Sequence, residues 1–249
     1  MSKNLWNFLT IFRTLAEIWI IMSIDDQRRY ELMKRNSIVG MILATTLLLT
    51  AGWGGYAADK CILSENEDLK PVIYLYPQED GQEISVSLDY DGDITELIPE
   101  FNAENTWNVT ATKDGTITFE GQQYDYLFWE GVPHFEYDFY TGYCVKGSET
   151  ETFLRDMLPK LGLNDAEMEE FLKFWLPDLE RNPYNMISFQ DRTYRNGAKL
   201  SVTPQPDTLI RVFMAWYPSD VYVKICPQII ETPERNGFTV VEWGGNKVR

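Results

Sequence analysis

Histidine and cysteine are scarce in this sequence, and each shortage removes a class of chemistry. The 249 residues contain one histidine, His134, and three cysteines. A nucleophile activated by histidine would have to use His134, and nothing around Cys144 resembles a nucleophile motif. The cysteines also lack the paired spacing of a zinc site. We therefore assign no catalytic residue and expect no cofactor.

Basic residues are also few, and their deficit lies in the C-terminal part of the chain. Lysine and arginine number 22 against 38 aspartates and glutamates, which gives a net charge of −16. Residues 1–57 carry six basic and four acidic side chains, so the remainder carries −18. Binding to nucleic acid depends on basic side chains that neutralise phosphates. The sequence therefore predicts no nucleic-acid partner.

Charge is absent altogether from residues 38–57, directly after Lys34 and Arg35. A basic flank, an apolar run and the small residues Gly55 and Ala57 are typical of a signal peptide cut before Ala58. The segment is also long enough to span a membrane. Residues 33–57 are therefore either a signal peptide or a membrane anchor. Basic residues upstream place the C-terminal part outside the cytoplasm in both cases, secreted or membrane-anchored.

Residues 1–32 precede this export segment and form an amphipathic extension. Their apolar residues recur at helical spacing, which fits an interfacial helix at the membrane. Alternatively, translation starts at Met33 and the extension is not made. Cys61, Cys144 and Cys226 all follow the export segment, but their spacing does not select a disulfide pair. Residues 58–70 read as a linker.

The remaining residues, 71–245, predict one exported β-rich domain of α+β class. Residues 72–76 are a continuous apolar run, typical of a strand buried on both faces. Further strands alternate in polarity over 71–131 and 185–245, as in mostly antiparallel, sandwich-like sheets. Between them, residues 148–180 carry apolar residues at helical spacing, which predicts a central two-helix hairpin.

Four local features of this domain can be checked directly. Ser148 with Glu151, and Asn164 with Glu167, predict a capping box at the start of each helix. Asp91-Gly92 predicts a hairpin turn. Val221, Val223 and Ile225 recur at every second position and predict a strand. The same alternation predicts that four tryptophans lie mostly in the core, namely Trp107, Trp129, Trp216 and Trp243.

Five stretches of the domain together carry a resemblance. They are KPVIYLYP at 70–77, YLFWEG at 126–131, NPYNMISF at 182–189, IRVFMAW at 210–216 and FTVVEWGG at 238–245. With these stretches the domain resembles a family of exported proteins from Gram-positive, clostridia-like bacteria. The resemblance spans nearly all of residues 70–245 and implies export. It carries no activity, cofactor or catalytic residue.

Two groups of carboxylates are candidates for a function, one for binding a metal ion and one for glycoside hydrolysis. Asp89, Asp91 and Asp93 alternate as the ligands of a hard cation such as calcium do. Their glycine falls at the wrong position for an EF-hand loop, so a hairpin turn explains them better and no metal site is assigned. Glycoside hydrolysis needs two facing carboxylates. Glu130 with Glu136 or Asp138, close to aromatic rings, are the candidates.

Ligand binding has its own candidates at a predicted strand end. Asp125, Trp129 and Glu130 precede the loop 131–133, and binding groups tend to lie where strands meet loops. A well-patterned β-domain without an acid–base pair or nucleophile favours a non-catalytic cell-envelope binding module with a cell-wall or protein partner. Through an uncleaved 38–57 segment, the membrane would be a further partner. The alternative is a wall- or glycan-active hydrolase.

Overall fold

The computed structural model describes residues 69–248, so the extension, the export segment and Cys61 lie outside the described residues. Within residues 69–248 no helix is long and apolar enough to cross a membrane. The strands are β1 Leu69–Tyr76, β2 Gln82–Tyr90, β3 Gly92–Ile98, β4 Thr106–Ala111, β5 Ile117–Phe119, β6 Gln122–Tyr124, β7 Leu127–Pro133, β8 Tyr143–Lys146, β9 Tyr184–Gln190, β10 Ala198–Thr203, β11 Thr208–Ser219 and β12 Thr239–Lys247. The helices are α1 Thr150–Lys160, α2 Asp165–Leu179 and α3 Arg192–Gly197.

The strands form two sheets. The larger has seven strands in the order β3-β7-β1-β12-β11-β9-β8, and the smaller has five in the order β10-β2-β4-β5-β6. Neighbours pair antiparallel except β11 and β12, which are parallel. The predicted α+β class with mostly antiparallel sheets is therefore confirmed.

β1 shows why the large sheet is a middle layer. Val72 and Tyr74 pack in the core on the helix side, whereas Ile73 and Leu75 pack in the core between the two sheets. Successive side chains of a strand point to opposite faces, so a strand with apolar residues at every position needs cover on both. The predicted burial of residues 72–76 on both faces is confirmed, with Tyr76 partly buried.

The helix hairpin covers the outer face of the large sheet. The Asn164 side chain accepts from the Glu167 backbone at 2.9 Å, and the Glu167 side chain accepts from the Asn164 backbone at 2.9 Å, so the capping box is confirmed. Behind the cap, Phe171 and Trp175 of α2 meet Trp243 and Trp216 of the sheet. All four predicted core tryptophans are buried.

Three local predictions are wrong. The Ser148–Glu151 capping box does not form, because a short 3-10 turn at residues 147–149 leads into α1 and its N-cap residue is Glu149, with no side-chain capping bond. The other two fail for tertiary reasons. The chain does not form a hairpin at Asp91-Gly92, because β2 belongs to the small sheet and β3 to the large one. Gly92 sits at this crossing, where an added Cβ would meet the Tyr90 ring and the Val132 carbonyl at 2.4 Å. Residues 221–225 are not a strand, since their backbone joins neither sheet.

A buried ion pair lies between the sheets. Arg211 of β11 and Glu242 of β12 are register partners, and their side chains are 3% and 1% exposed. Tyr194 donates to Glu242 at 3.1 Å, and Arg211 donates to the Ala198 carbonyl at 2.7 Å. Burial alone would lower the pKa of Arg211, but Glu242 and Tyr194 together outweigh burial and raise it. The Arg211 guanidinium therefore keeps its charge inside the core, with Glu242 as its ion-pair partner.

Candidate functional site

The three binding candidates have different environments. Trp129 is fully buried between the sheets, where its ring packs on Tyr90 at 4.8 Å and its indole lies 3.4 Å from Glu242. Glu130, the next residue, lies on the opposite face of β7 and is half-buried, in register with Glu96 of β3. Asp125 is exposed just before β7. The structure therefore places the ring and the two carboxylates in separate surroundings.

The carboxylates proposed for hydrolysis are also separated. Glu136 lines a cavity of about 270 Å³ together with Tyr217 of β11, and Asp138 is bonded to Gln190 of β9. These strands are the third and fourth neighbours of β7 in the sheet order. Glu130 does not line that cavity, and its side chain lies on the face of β7 that carries Phe128, toward the helix-side core. Phe135 and Tyr137 on either side of Glu136 pack on the core between the sheets, and Asp138 is held at β9. The structure therefore does not set Glu130 facing either partner, as a glycosidase requires.

The three aspartates do not converge either. All are exposed, and Asp89 pairs with Lys199 at 3.0 Å while Asp93 pairs with His134 at 3.1 Å. Over residues 69–248, no three histidine, cysteine or acidic side chains are grouped to hold a metal ion. His134 itself is exposed, so its pairing with Asp93 is a surface contact.

The large sheet has β3 at one edge and β8 at the other, and a groove of about 580 Å³ lies beside β8. We call it the β8 groove. Its walls are β8, the start of α1 and the segment of residues 220–227, which we call the 220–227 segment. It is lined by Gly142, Tyr143, Cys144, Val145, Ser148, Glu149, Thr152, Phe153, Tyr222, Ile225 and Pro227. Rings and aliphatic side chains predominate among them, as in ligand-binding clefts generally.

Hydrogen bonds hold the walls of the groove in place. Gln228 bonds both the N–H and the carbonyl of Phe189 with its side chain, at 2.8 and 2.7 Å, and so ties the end of the 220–227 segment to β9. Tyr143 donates its hydroxyl to the Gln228 carbonyl at 3.2 Å. Burial raises the pKa of Tyr143, so the hydroxyl remains a neutral donor. The groove is therefore braced by Tyr143 and Gln228.

Apolar side chains are exposed around the same groove. Tyr222 lines the groove and is 63% exposed, and its chain neighbours Val221 and Val223 are 65% and 38% exposed. Single exposed apolar residues are ordinary, but a contiguous group next to a concavity is typical of an interaction site. The sequence signal was present in the apolar alternation of residues 221–225, which we interpreted as a strand of the core.

An aromatic box elsewhere in the domain holds a side chain of the chain itself. The Lys70 ammonium lies 5.1 Å from the Phe174 ring centroid, 5.6 Å from Trp243 and 5.9 Å from Tyr126. Glu170 lies 3.6 Å from the same ammonium and accepts a hydrogen bond from Tyr74. Cation–π and ionic contacts together anchor the start of β1 to α2.

Tyr74, which donates a hydrogen bond to Glu170 beside the Lys70 ammonium, predicts a loss of stability in alkali. Burial first, and then Glu170, raises the pKa of Tyr74 far above its usual 10.0. Above about pH 10 the unfolded state loses a proton that the folded state keeps, so the free energy of unfolding falls by up to about 1.4 kcal/mol per pH unit. Urea denaturation from about pH 9 to 11 should show a shallower fall for Tyr74→Phe. Tyr124→Phe, on the edge strand β6, is the control; equal slopes in all three proteins would contradict the assignment.

Comparison with known proteins gives one informative relative. A Butyrivibrio fibrisolvens protein named "Uncharacterized protein in bglA 3'region" is 62% identical over 99 residues, which are 40% of this chain and 99% of that protein. No protein-family model matches the sequence. No solved structure matches it either.

Proposed function

Since the chain belongs to the family of this Butyrivibrio fibrisolvens protein, whose name states no activity, we propose a function from geometry. The domain is a non-catalytic binding module of the bacterial cell envelope, and the β8 groove is its binding site. The observation that carries the proposal is the exposed apolar group at residues 221–223 beside a concave, aromatic-lined groove. Concave sites of this size and lining accommodate ligands.

The placement outside the cytoplasm rests on the sequence. The uncharged residues 38–57 behind Lys34 and Arg35 are the export or anchor signal. A domain held at the envelope in this way meets wall polymers and surface proteins. The separation of Glu130 from Glu136 and Asp138 favours binding over hydrolysis, because acid and base would not reach the same bond.

Tyr222→Ala should weaken attachment to the envelope. Binding energy concentrates in aromatic residues, and truncating a central tyrosine typically costs 1–2 kcal/mol or more. We expect the affinity of the full chain for isolated envelopes of the bacterium that encodes it to fall about 5- to 30-fold. Tyr140→Ala is the matched control, because Tyr140 is 89% exposed but does not line the groove.

Three results would count against the proposal. Equal attachment of the Tyr222 and Tyr140 variants would move the site away from the groove. A domain protected from protease on intact cells, but cleaved after lysis, would place it inside the cytoplasm. Release of soluble wall fragments by the wild-type chain and not by Glu130→Gln would identify a hydrolase instead.

A further inference from the structure

The β8 groove has a wall made of backbone that pairs with no neighbouring strand in the described chain. β8 is the last strand of the large sheet and pairs with β9 on one side only. On its other side the ladder is limited to a single bridge between Thr141 and Cys226, with Gly142 donating to the Cys226 carbonyl at 2.8 Å. An edge of this kind is a template for another strand.

The direction of the Gly142 bond identifies which backbone groups face the groove. In an antiparallel pair, residues alternate between those that bond one neighbour and those that face away from it. Gly142 faces away from β9, so Tyr143 faces β9 and Cys144 faces away again. The N–H and carbonyl of Cys144 therefore point toward the groove that this residue lines.

The opposite wall also has the sequence of a strand. Residues 221–225 place the β-branched residues Val221, Val223 and Ile225 at alternate positions, yet they form no ladder with β8. Val223 instead donates its N–H to the Cys144 thiol sulfur at 3.2 Å. A β-branched segment thus runs beside the strand edge without forming a ladder with it, and its contact at Cys144 is to the side chain.

We propose that the β8 groove binds an extended peptide segment of a partner protein, which adds a strand to β8 at Cys144. This inference rests on the proposed function and names the class of ligand. In strand addition, backbone hydrogen bonds supply affinity and side-chain pockets supply specificity. The four residues of β8 provide about 13 Å of edge, enough for four ligand residues.

The surroundings select the composition of that peptide. Tyr143, Phe153 and Ile225 in the groove favour apolar residues at alternate ligand positions. Residues 69–248 carry 14 basic and 30 acidic side chains, a net charge of −16 that favours basic residues flanking the paired segment. The Lys146–Glu149 pair at the rim is exposed, at 52% and 61%, so it offers little resistance to such a ligand.

The test compares two substitutions at Cys144 in the full chain. A library of random 12-residue peptides is selected on the immobilised wild-type chain, and the most enriched peptide is synthesised. Cys144→Pro removes the N–H that faces the groove without removing a β8–β9 bond, and proline is tolerated at such an edge position. We expect it to lower the peptide affinity at least about 10-fold. Cys144→Ala removes the same thiol but keeps the N–H, so it measures the effect of the side chain alone, and Cys144→Pro should bind the peptide at least about 10-fold more weakly than Cys144→Ala.

A second measurement covers the case in which Cys144→Pro does not fold, as judged by its melting temperature. The selected peptide is N-methylated at alternate residues in each of the two registers. N-methylation in one register should lower the peptide affinity at least about 10-fold, and in the other register it should change the affinity little. The reason is that only alternate residues of a strand face a given neighbour. Equal effects of both registers, or no enriched peptide, would overturn the inference.

The outcomes also separate this inference from the proposed function. If soluble wall glycan fragments compete for Tyr222-dependent envelope binding and the peptides do not, the binding module stands and the peptide ligand falls. If envelope binding does not depend on Tyr222, the groove fails as the site and both fall together.

Discussion

Glu242→Gln is expected to lower the free energy of unfolding by about 3–5 kcal/mol, because it leaves the buried Arg211 guanidinium without its counter-charge. Arg211 is 3% exposed, and its Nη2 already has no hydrogen-bond partner among residues 69–248. Water cannot replace the lost carboxylate charge at such a site. Urea denaturation of the variant at neutral pH measures the loss.

The double variant Arg211→Met/Glu242→Gln separates the value of the pair from the cost of an unpaired charge. Removing both charges should cost less than Glu242→Gln alone, since no charge is then stranded between the sheets. Asp89→Asn is the control, because it breaks an exposed pair with Lys199 and should cost under about 1 kcal/mol. A Glu242→Gln loss as small as that of Asp89→Asn would mean that solvent reaches Arg211.

Sequence patterns predicted the parts of the fold that depend on neighbours along the chain. The Asn164–Glu167 cap involves residues three apart, and the burial of Val72 to Leu75 follows from the absence of polar residues in that run. The Asp91-Gly92 error has a different origin. The same turn residues serve a chain that reverses within one sheet and a chain that crosses to another sheet. The crossing depends on tertiary packing, here of Tyr90 on Trp129 and Phe135, which the local sequence does not contain.

The candidate site was less predictable than the fold. Glu130, Glu136 and Asp138 are close in sequence, but the chain after Pro133 runs across the large sheet toward β9 and carries them apart. The β8 groove combines three segments separated by up to about 80 residues, so no single window of sequence contains it. One missed feature had a usable signal: Arg211 and Glu242 are opposite charges inside two apolar strand patterns. Opposite charges in buried strands predict a pair.

Trp175→Ala is the other change expected to have a large effect, about 3–5 kcal/mol of unfolding free energy. The side chain is 2% exposed and packs between α2 and the sheet, with Trp216 at 6.5 Å and Phe174 at 4.9 Å between ring centroids. The indole packs against β12 at Gly245, which has no side chain. A Cβ added at Gly245 would lie 2.8 Å from the indole. The packed helices and strand cannot collapse fully into the space that alanine leaves.

Trp175→Phe tests whether packing or polarity sets that cost. The buried Trp175 indole N–H has no hydrogen-bond partner within the described part of the chain, so phenylalanine removes an unsatisfied donor while keeping most of the ring. It should therefore cost clearly less than alanine in the same urea denaturation. Tyr140→Ala, at an 89% exposed aromatic position, should cost under about 0.5 kcal/mol. If Trp175→Ala costs less than about 1 kcal/mol, the helix hairpin contributes little to the stability of the sheets. In that case only β8 and the 220–227 segment would hold the α1 wall of the β8 groove in place.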